Sequence, residues 1–238
     1  MAGPTAVITA TKITSPRPPS RYLERARLLS SLEGSVAAGR GVVLVSAPAG
    51  SGKSTLVNGW LDRRATAVGW LQVDEGDNDP SRFWTYVAAA LAEAVPTIPA
   101  AVATTIGDGL EAVVSSVVNE IVRHGDEVVL VVDDYHLVTN PDVHASVENL
   151  ISLRPENLVV VVSTRVDPPF RLGRLRVSDE LTEVRSDGLR FDADEAAWLL
   201  DAEATGLRTE SVERLRTRTE GWAAALVLAG LSLRDGVD

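Results

Sequence analysis

Val42-Val43-Leu44-Val45-Ser46-Ala47-Pro48-Ala49-Gly50-Ser51-Gly52-Lys53-Ser54-Thr55 decides how this chain is read. The apolar run reads as a core strand, the turn after it contains glycine, and Leu56 to Leu61 continues as a helix. A strand that feeds such a loop, then Gly-Lys-Ser, then a helix is the setting of a phosphate-binding loop. Its backbone N–H groups and the helix N-terminus aim partial positive charge at one point. Lys53 adds a full charge for β- and γ-phosphates, and Ser54 offers a hydroxyl to Mg2+. Pro48, Ala49, Gly50, Ser51, Gly52 and Thr55 complete the candidate nucleotide-binding set. The usual pattern opens with glycine, and Ala47 stands in that place. The opening residue only leaves the strand, whereas Gly50 and Gly52, where backbone must approach the ligand, are kept.

Composition narrows the rest. A chain of 238 residues holds one large domain, or one domain and a small appendage. At 45% apolar residues it can bury a sizeable core. Without cysteine, disulfides, thiolate metal sites and cysteine nucleophiles are excluded, and a reducing cytoplasm suits it. No apolar run is long enough to span a membrane, and the first residues lack the pattern of a signal peptide. The net charge of −10 is uneven: Met1 to Ala65 carries +6 and the remainder −16. A basic N-terminal part beside the loop suits a polyphosphate, and the acidic remainder argues against direct nucleic-acid binding.

Apolar spacing lays out the elements. Met1 to Ser20, with Pro16, Pro18 and Pro19, reads as an extended arm. Helices are expected over Tyr22 to Ala38, Ser81 to Ala94, Leu110 to Arg123 and Val143 to Leu153. Pro96 and Pro99 mark a loop, and Asp74 to Asp79 a solvated turn that caps the following helix. Trp70 to Val73 reads as a strand. Val128 to Val132 and Leu158 to Val162 are unbroken apolar runs of the kind covered on both faces in parallel sheets. Leu181 to Val184 reads as the last strand. This alternation predicts an α/β, three-layer αβα fold with a parallel sheet. From about Leu189 the pattern turns helical, with Asp192 and Glu195 as a capping box, Thr209 as a second cap and Gly221 before a third helix. Residues 1–188, including the N-terminal arm and helix over 1–40, are therefore read as a nucleotide-binding domain, and 189–238 as a small helical appendage.

Two strand ends supply the remaining chemistry. Val128-Val129-Leu130-Val131-Val132-Asp133-Asp134 ends an apolar strand in acids, which is how this fold sets a carboxylate beside Mg2+. Asp133 is the candidate metal residue and Asp134 the candidate for polarising attacking water. Val159-Val160-Val161-Val162-Ser163-Thr164-Arg165 ends a third strand in a cation. If that strand lies between the other two, Arg165 projects toward a γ-phosphate, for which a planar guanidinium is suited. Catalysis is thus assigned to Asp134, Lys53 and Arg165.

These stretches, with Trp70-Leu71-Gln72-Val73-Asp74-Glu75-Gly76-Asp77-Asn78, Asp133-Asp134-Tyr135-His136-Leu137 and Gly221-Trp222-Ala223-Ala224-Ala225-Leu226, occur in order. The series resembles the N-terminal nucleotide-binding domain of MalT-like, large ATP-binding LuxR-type transcriptional regulators, which belong to the STAND ATPases. The resemblance runs from about Ile13 to Leu233. It implies a switch: a closed ADP form at rest, and an ATP form that opens, self-associates and is reset by hydrolysis. Arg25 and Arg27 match the family's N-terminal arginine-bearing segment near the nucleotide. Gly221-Trp222 lies where related switches link appendage to nucleotide, although core packing of an amphipathic helix accounts for Trp222 equally well. Family members continue into sensor and helix-turn-helix modules, so inducer sensing and DNA binding are not assigned to these residues. The competing reading is a constitutive P-loop ATPase or kinase without any link to transcription.

Overall fold

The computed structural model describes residues 7–17, 22–202 and 207–234. The N-terminal helix α1 (Ala26–Ala37) precedes β1 (Val42–Ser46), the loop, and α2 (Lys53–Leu61). Next come β2 (Ala67–Gln72), α3 (Pro80–Leu91), α4 (Ile98–Thr105), α5 (Leu110–His124) and β3 (Val128–Asp133). Then α6 (Pro141–Ser152), β4 (Leu158–Thr164), α7 (Leu172–Val177), β5 (Leu181–Arg185) and α8 (Ser186–Leu189) complete the sheet region. Helices α9 (Ala193–Ala202), α10 (Thr209–Arg218) and α11 (Ala223–Arg234) follow.

The five strands lie in the order β2-β3-β4-β1-β5, all parallel. Every residue of β1, β3 and β4 is buried, as their unbroken valine runs require of strands covered on both faces. Alternate side chains enter two cores. Val43, Val45, Val129, Val131, Val159 and Val161 meet α1 and α2. Val42, Leu44, Leu130, Val132, Val160 and Val162 meet the helices from α3 to α7. A parallel sheet with helices on both faces is the three-layer αβα arrangement. A third cluster, Phe191, Ala196, Leu199, Leu200, Val212 and Leu226, holds α9, α10 and α11 together.

Several local expectations change. The first helix begins at Ala26, not Tyr22, because Arg25 is drawn into contacts described below. Pro99 belongs to α4, where the first turn tolerates a missing N–H. The acidic turn is not simply solvated: Asp77 is fully buried, bonded to Lys12 Nζ and Arg82 Nε at 2.5 and 3.1 Å. Lys12 belongs to the N-terminal arm, whose described part is not wholly extended: Ala10–Lys12 makes a 3-10 turn, and Ile8 and Ile13 pack on the core. Pro18 and Pro19 lie outside the described residues. Thr209 is the first residue of α10 rather than its cap. The Asp192–Glu195 capping box forms in full, with reciprocal bonds of 2.9 and 3.1 Å. Among the described residues no helix is long and apolar enough to cross a membrane.

Candidate nucleotide-binding site

Two glycines shape the loop between β1 and α2. Gly50 has φ +70° and Gly52, the N-cap of α2, has φ +86°, a region that L side chains rarely adopt. Gly50 is fixed a second way, since a Cβ there would come 2.6 Å from the Ala224 methyl. Ser51 Oγ donates to the Pro48 carbonyl at 2.9 Å and closes the turn. Lys53 Nζ donates to the carbonyls of Ala47 and Pro48 at 2.9 and 3.1 Å. Burial lowers the pKa of this ammonium; Asp133 and Asp134 pull it back up, and Arg165 depresses it further. A poorly hydrated cation of this kind interacts strongly with an anion that can approach it.

The strand order brings the three motifs together. β4 lies between β3 and β1, as the sequence reading required for Arg165 to approach the loop. Asp133 is buried at the end of β3. Its Oδ2 accepts from Ser54 Oγ at 2.7 Å and its Oδ1 from the Asp134 N–H at 3.0 Å. Asp134 takes φ +56°, a left-handed conformation that Asp tolerates better than most residues. That turn ends the strand and brings Asp134 to the cavity wall. Gln72 Nε2 donates to its Oδ2 at 3.4 Å, and His136 Nδ1 lies 3.8 Å from its Oδ1. Burial lowers the His136 pKa, with Arg165 and Lys53 acting in the same direction against the two aspartates. Arg165 follows the tip of β4 and lines the same cavity.

That cavity holds about 950 Å3. Residues 49–56 of the loop, Asp134 and Arg165 form its polar wall; Tyr22, Phe191, Leu199, Val227 and Leu231 form an apolar one. Such a division matches a ligand with a charged end and an apolar body.

The helices after the sheet touch the loop directly. Trp222 Nε1 donates to the Ala49 carbonyl at 3.1 Å, and the Ala224 N–H to the Gly50 carbonyl at 3.0 Å. Arg25 lines the cavity, but its guanidinium is engaged elsewhere. It pairs with Glu195 in a two-pronged contact at 2.7 and 3.0 Å, bonds the carbonyls of Leu189 and Arg190 at 2.8 Å, and lies over the Phe191 ring. Arg27 is exposed, outside the cavity lining, and its guanidinium donates to the Gly188 carbonyl at 3.4 Å. Of these two candidates for the nucleotide, Arg25 thus lines the cavity and Arg27 does not. They sit two positions apart at a helix start, so they point different ways. Sequence reading found the capping role of Glu195 and missed its partnership with Arg25; a buried arginine 170 positions away leaves no local signal. It also missed Ala224, whose contribution is a backbone N–H and the absence of bulk.

Residues 17–162 match the family described as the AAA ATPase domain. The chain is 37% identical over 248 residues to serine/threonine-protein kinase PknK of Mycobacterium tuberculosis, covering 99% of this chain and 22% of that protein. It is 34% identical over 233 residues to the HTH-type transcriptional regulator MalT of Klebsiella pneumoniae, covering 96% and 26%. The chain therefore spans about a quarter of the length of these curated relatives. Among solved structures, the Walker-type ATPase PABY2304 of Pyrococcus abyssi matches with TM-score 0.64 at 13% identity, over 93% of this chain and 71% of that one. The Aeropyrum pernix ORC1 protein, solved in complex with DNA, matches with TM-score 0.57 at 17% identity, over 91% and 61%. With a matching region that spans more than half of its residues and carries the loop, Ser54 and Asp133, this chain belongs to the AAA ATPase domain family.

Proposed function

We propose that this chain is the ATP-binding, slowly hydrolysing switch domain of a STAND-type transcriptional regulator. The observation that carries the reading is the loop's double engagement. Its amide-lined turn and Lys53 face the cavity, while Trp222 and Ala224 hold its carbonyls from the helical side. A ligand on the loop is thereby coupled to the seating of α11, which a constitutive enzyme has no need for. We place the boundary between the two parts near Leu189, the last member of the core beneath α1 and α2; the third core begins at Phe191.

The donors suit Mg2+. Ser54 Oγ and the Asp133 carboxylate are hard oxygen ligands 2.7 Å apart, and Mg2+ is typically bound by one or two such groups together with substrate phosphates. When bound, Mg2+ would neutralise charge on the phosphates. Lys53 and the amides of residues 50–54 hold the β- and γ-phosphates. Asp134 accepts a hydrogen bond from the attacking water and orients it, and Arg165 balances charge on the terminal phosphoryl group. The apolar wall accommodates adenine. ADP would mark the resting form and ATP the active one. In a longer protein, self-association and sensor and helix-turn-helix modules would read the switch, in the cytoplasm. Kinase activity belongs to the name of the mycobacterial relative.

Calorimetric titration with ATP and ADP, with and without Mg2+, tests the site, and phosphate release tests the switch. Lys53→Ala should lower nucleotide affinity at least about tenfold, the worth of a hydrogen bond to a charged group, while leaving the fold intact. Unchanged affinity refutes the site. Rapid turnover without any activator refutes the switch and favours a constitutive ATPase.

A further inference from the structure

We propose that Ser163 is a positioning residue for the Asp133 carboxylate. The inference rests on Asp133 serving Mg2+, and it concerns a side chain to which the motifs assign no role.

Ser163 is 0% exposed, and its hydroxyl has no hydrogen-bond partner. Burying an unpaired hydroxyl is costly, so such a group calls for an explanation. The rest of the strand, Leu158 to Val162, is aliphatic, and a valine at 163 would continue it at no polar cost.

Its place in the sheet supplies the explanation. Ser163 stands beside Val45 of β1. On its other side the β3–β4 register ends at Val132 paired with Val162; Ser163 and Asp133 are the residues that follow that last rung, on strands about 4.8 Å apart. Alternation fixes the direction. Val159 and Val161 of β4, like Val129 and Val131 of β3, pack with Leu56 and Val57 of α2. Ser163 and Asp133 continue those two rows on the same face, and Ser54 of α2 reaches Asp133 there.

An ionised carboxylate offers about four lone-pair directions. Ser54 Oγ and the Asp134 N–H use two. A metal ion or a water on it takes a third, which leaves one for the neighbouring hydroxyl. Donation by Ser163 through one bridging water orients the carboxylate, as outer-shell partners do for metal ligands. Thr182 provides the contrast. It is another buried hydroxyl without a partner on this face, but its rung partners are Val43 and, beyond it, Val161, so it has no acid to serve.

The test is Mn2+ binding to the protein–ADP complex, read by the loss of the free Mn2+ signal in electron paramagnetic resonance. Ser163→Ala should weaken Mn2+ binding about tenfold and leave metal-free ADP affinity unchanged. Ser163→Thr, which keeps the hydroxyl on a strand-compatible side chain, and Thr182→Val should both retain the parent's affinity. Parental Mn2+ affinity in Ser163→Ala overturns the proposal, as does an equal loss in Thr182→Val or a parallel loss of metal-free ADP binding. If the parent itself shows no Mn2+-dependent ADP binding, the reading of Asp133 fails and this inference falls with it.

Discussion

The indole Nε1 of Trp222 lies 3.1 Å from the Ala49 carbonyl oxygen, joining positions 173 apart in the chain. A side chain half exposed to solvent thereby holds the turn that carries Gly50 and Gly52. Beside it, Ala224 comes so close to Gly50 that a side chain at position 50 would meet its methyl group at 2.6 Å.

Trp222→Phe keeps an aromatic ring and removes the donor. The expected loss of stability is about 1 kcal/mol, the net worth of one neutral hydrogen bond, measured by urea unfolding. A variant as stable as the parent would show that the contact contributes no free energy.

Asp134→Asn preserves size and tolerance of the left-handed conformation while removing the negative charge. Nucleotide affinity should change little, and phosphate release should fall about 100-fold or more. Hydrolysis at the parent rate would remove Asp134 from the water-orienting role.

Arg25→Ala leaves Glu195 without its charged partner and uncaps two carbonyls. Breaking a buried pair of this kind costs about 3 kcal/mol. Because Arg25, Leu189, Arg190 and Glu195 meet at one point, the loss should appear as earlier unfolding of the helices after the sheet, visible in amide hydrogen exchange of α9. A double-mutant cycle with Glu195→Ala should show strong coupling; additive losses would mean that the pair is incidental.

Glu183 is held at a pKa of about 2 by Arg176 and Arg185, against partial burial that opposes them. Its folded pKa lies below the unfolded one, so its contribution is present above pH 4.5 and is lost as the pH falls toward 2. Glu183→Gln should cost on the order of 1 kcal/mol at pH 7, allowing for solvent screening of the half-exposed arginines. Near pH 3 most of that difference should vanish. A pH-independent difference would point to packing instead of charge.

Most of the sheet was legible in the sequence, because strands buried on both faces must be continuously apolar and few other structures require that. The loop was legible because backbone approach to phosphate demands glycine at fixed places. What stayed hidden depends on distant partners. Nothing near Asp77 reveals that Lys12 lets it be buried, and nothing near Arg25 names Glu195. The short helices α7 and α8 escaped notice because six and four residues carry too little period to read. Pro99 misled because proline marks both loops and the first turns of helices.

Gly221 has φ +69°, and a Cβ there would meet the Phe191 carbonyl oxygen at 2.6 Å. Phe191 N–H bonds the Gly221 carbonyl at 2.8 Å, and Arg190 grips Glu220 through both backbone and carboxylate. The segment leaving the sheet is thus riveted to the bend between α10 and α11. The chain between this joint and the sheet is the single turn of α8, where Arg25 clasps the Leu189 and Arg190 carbonyls.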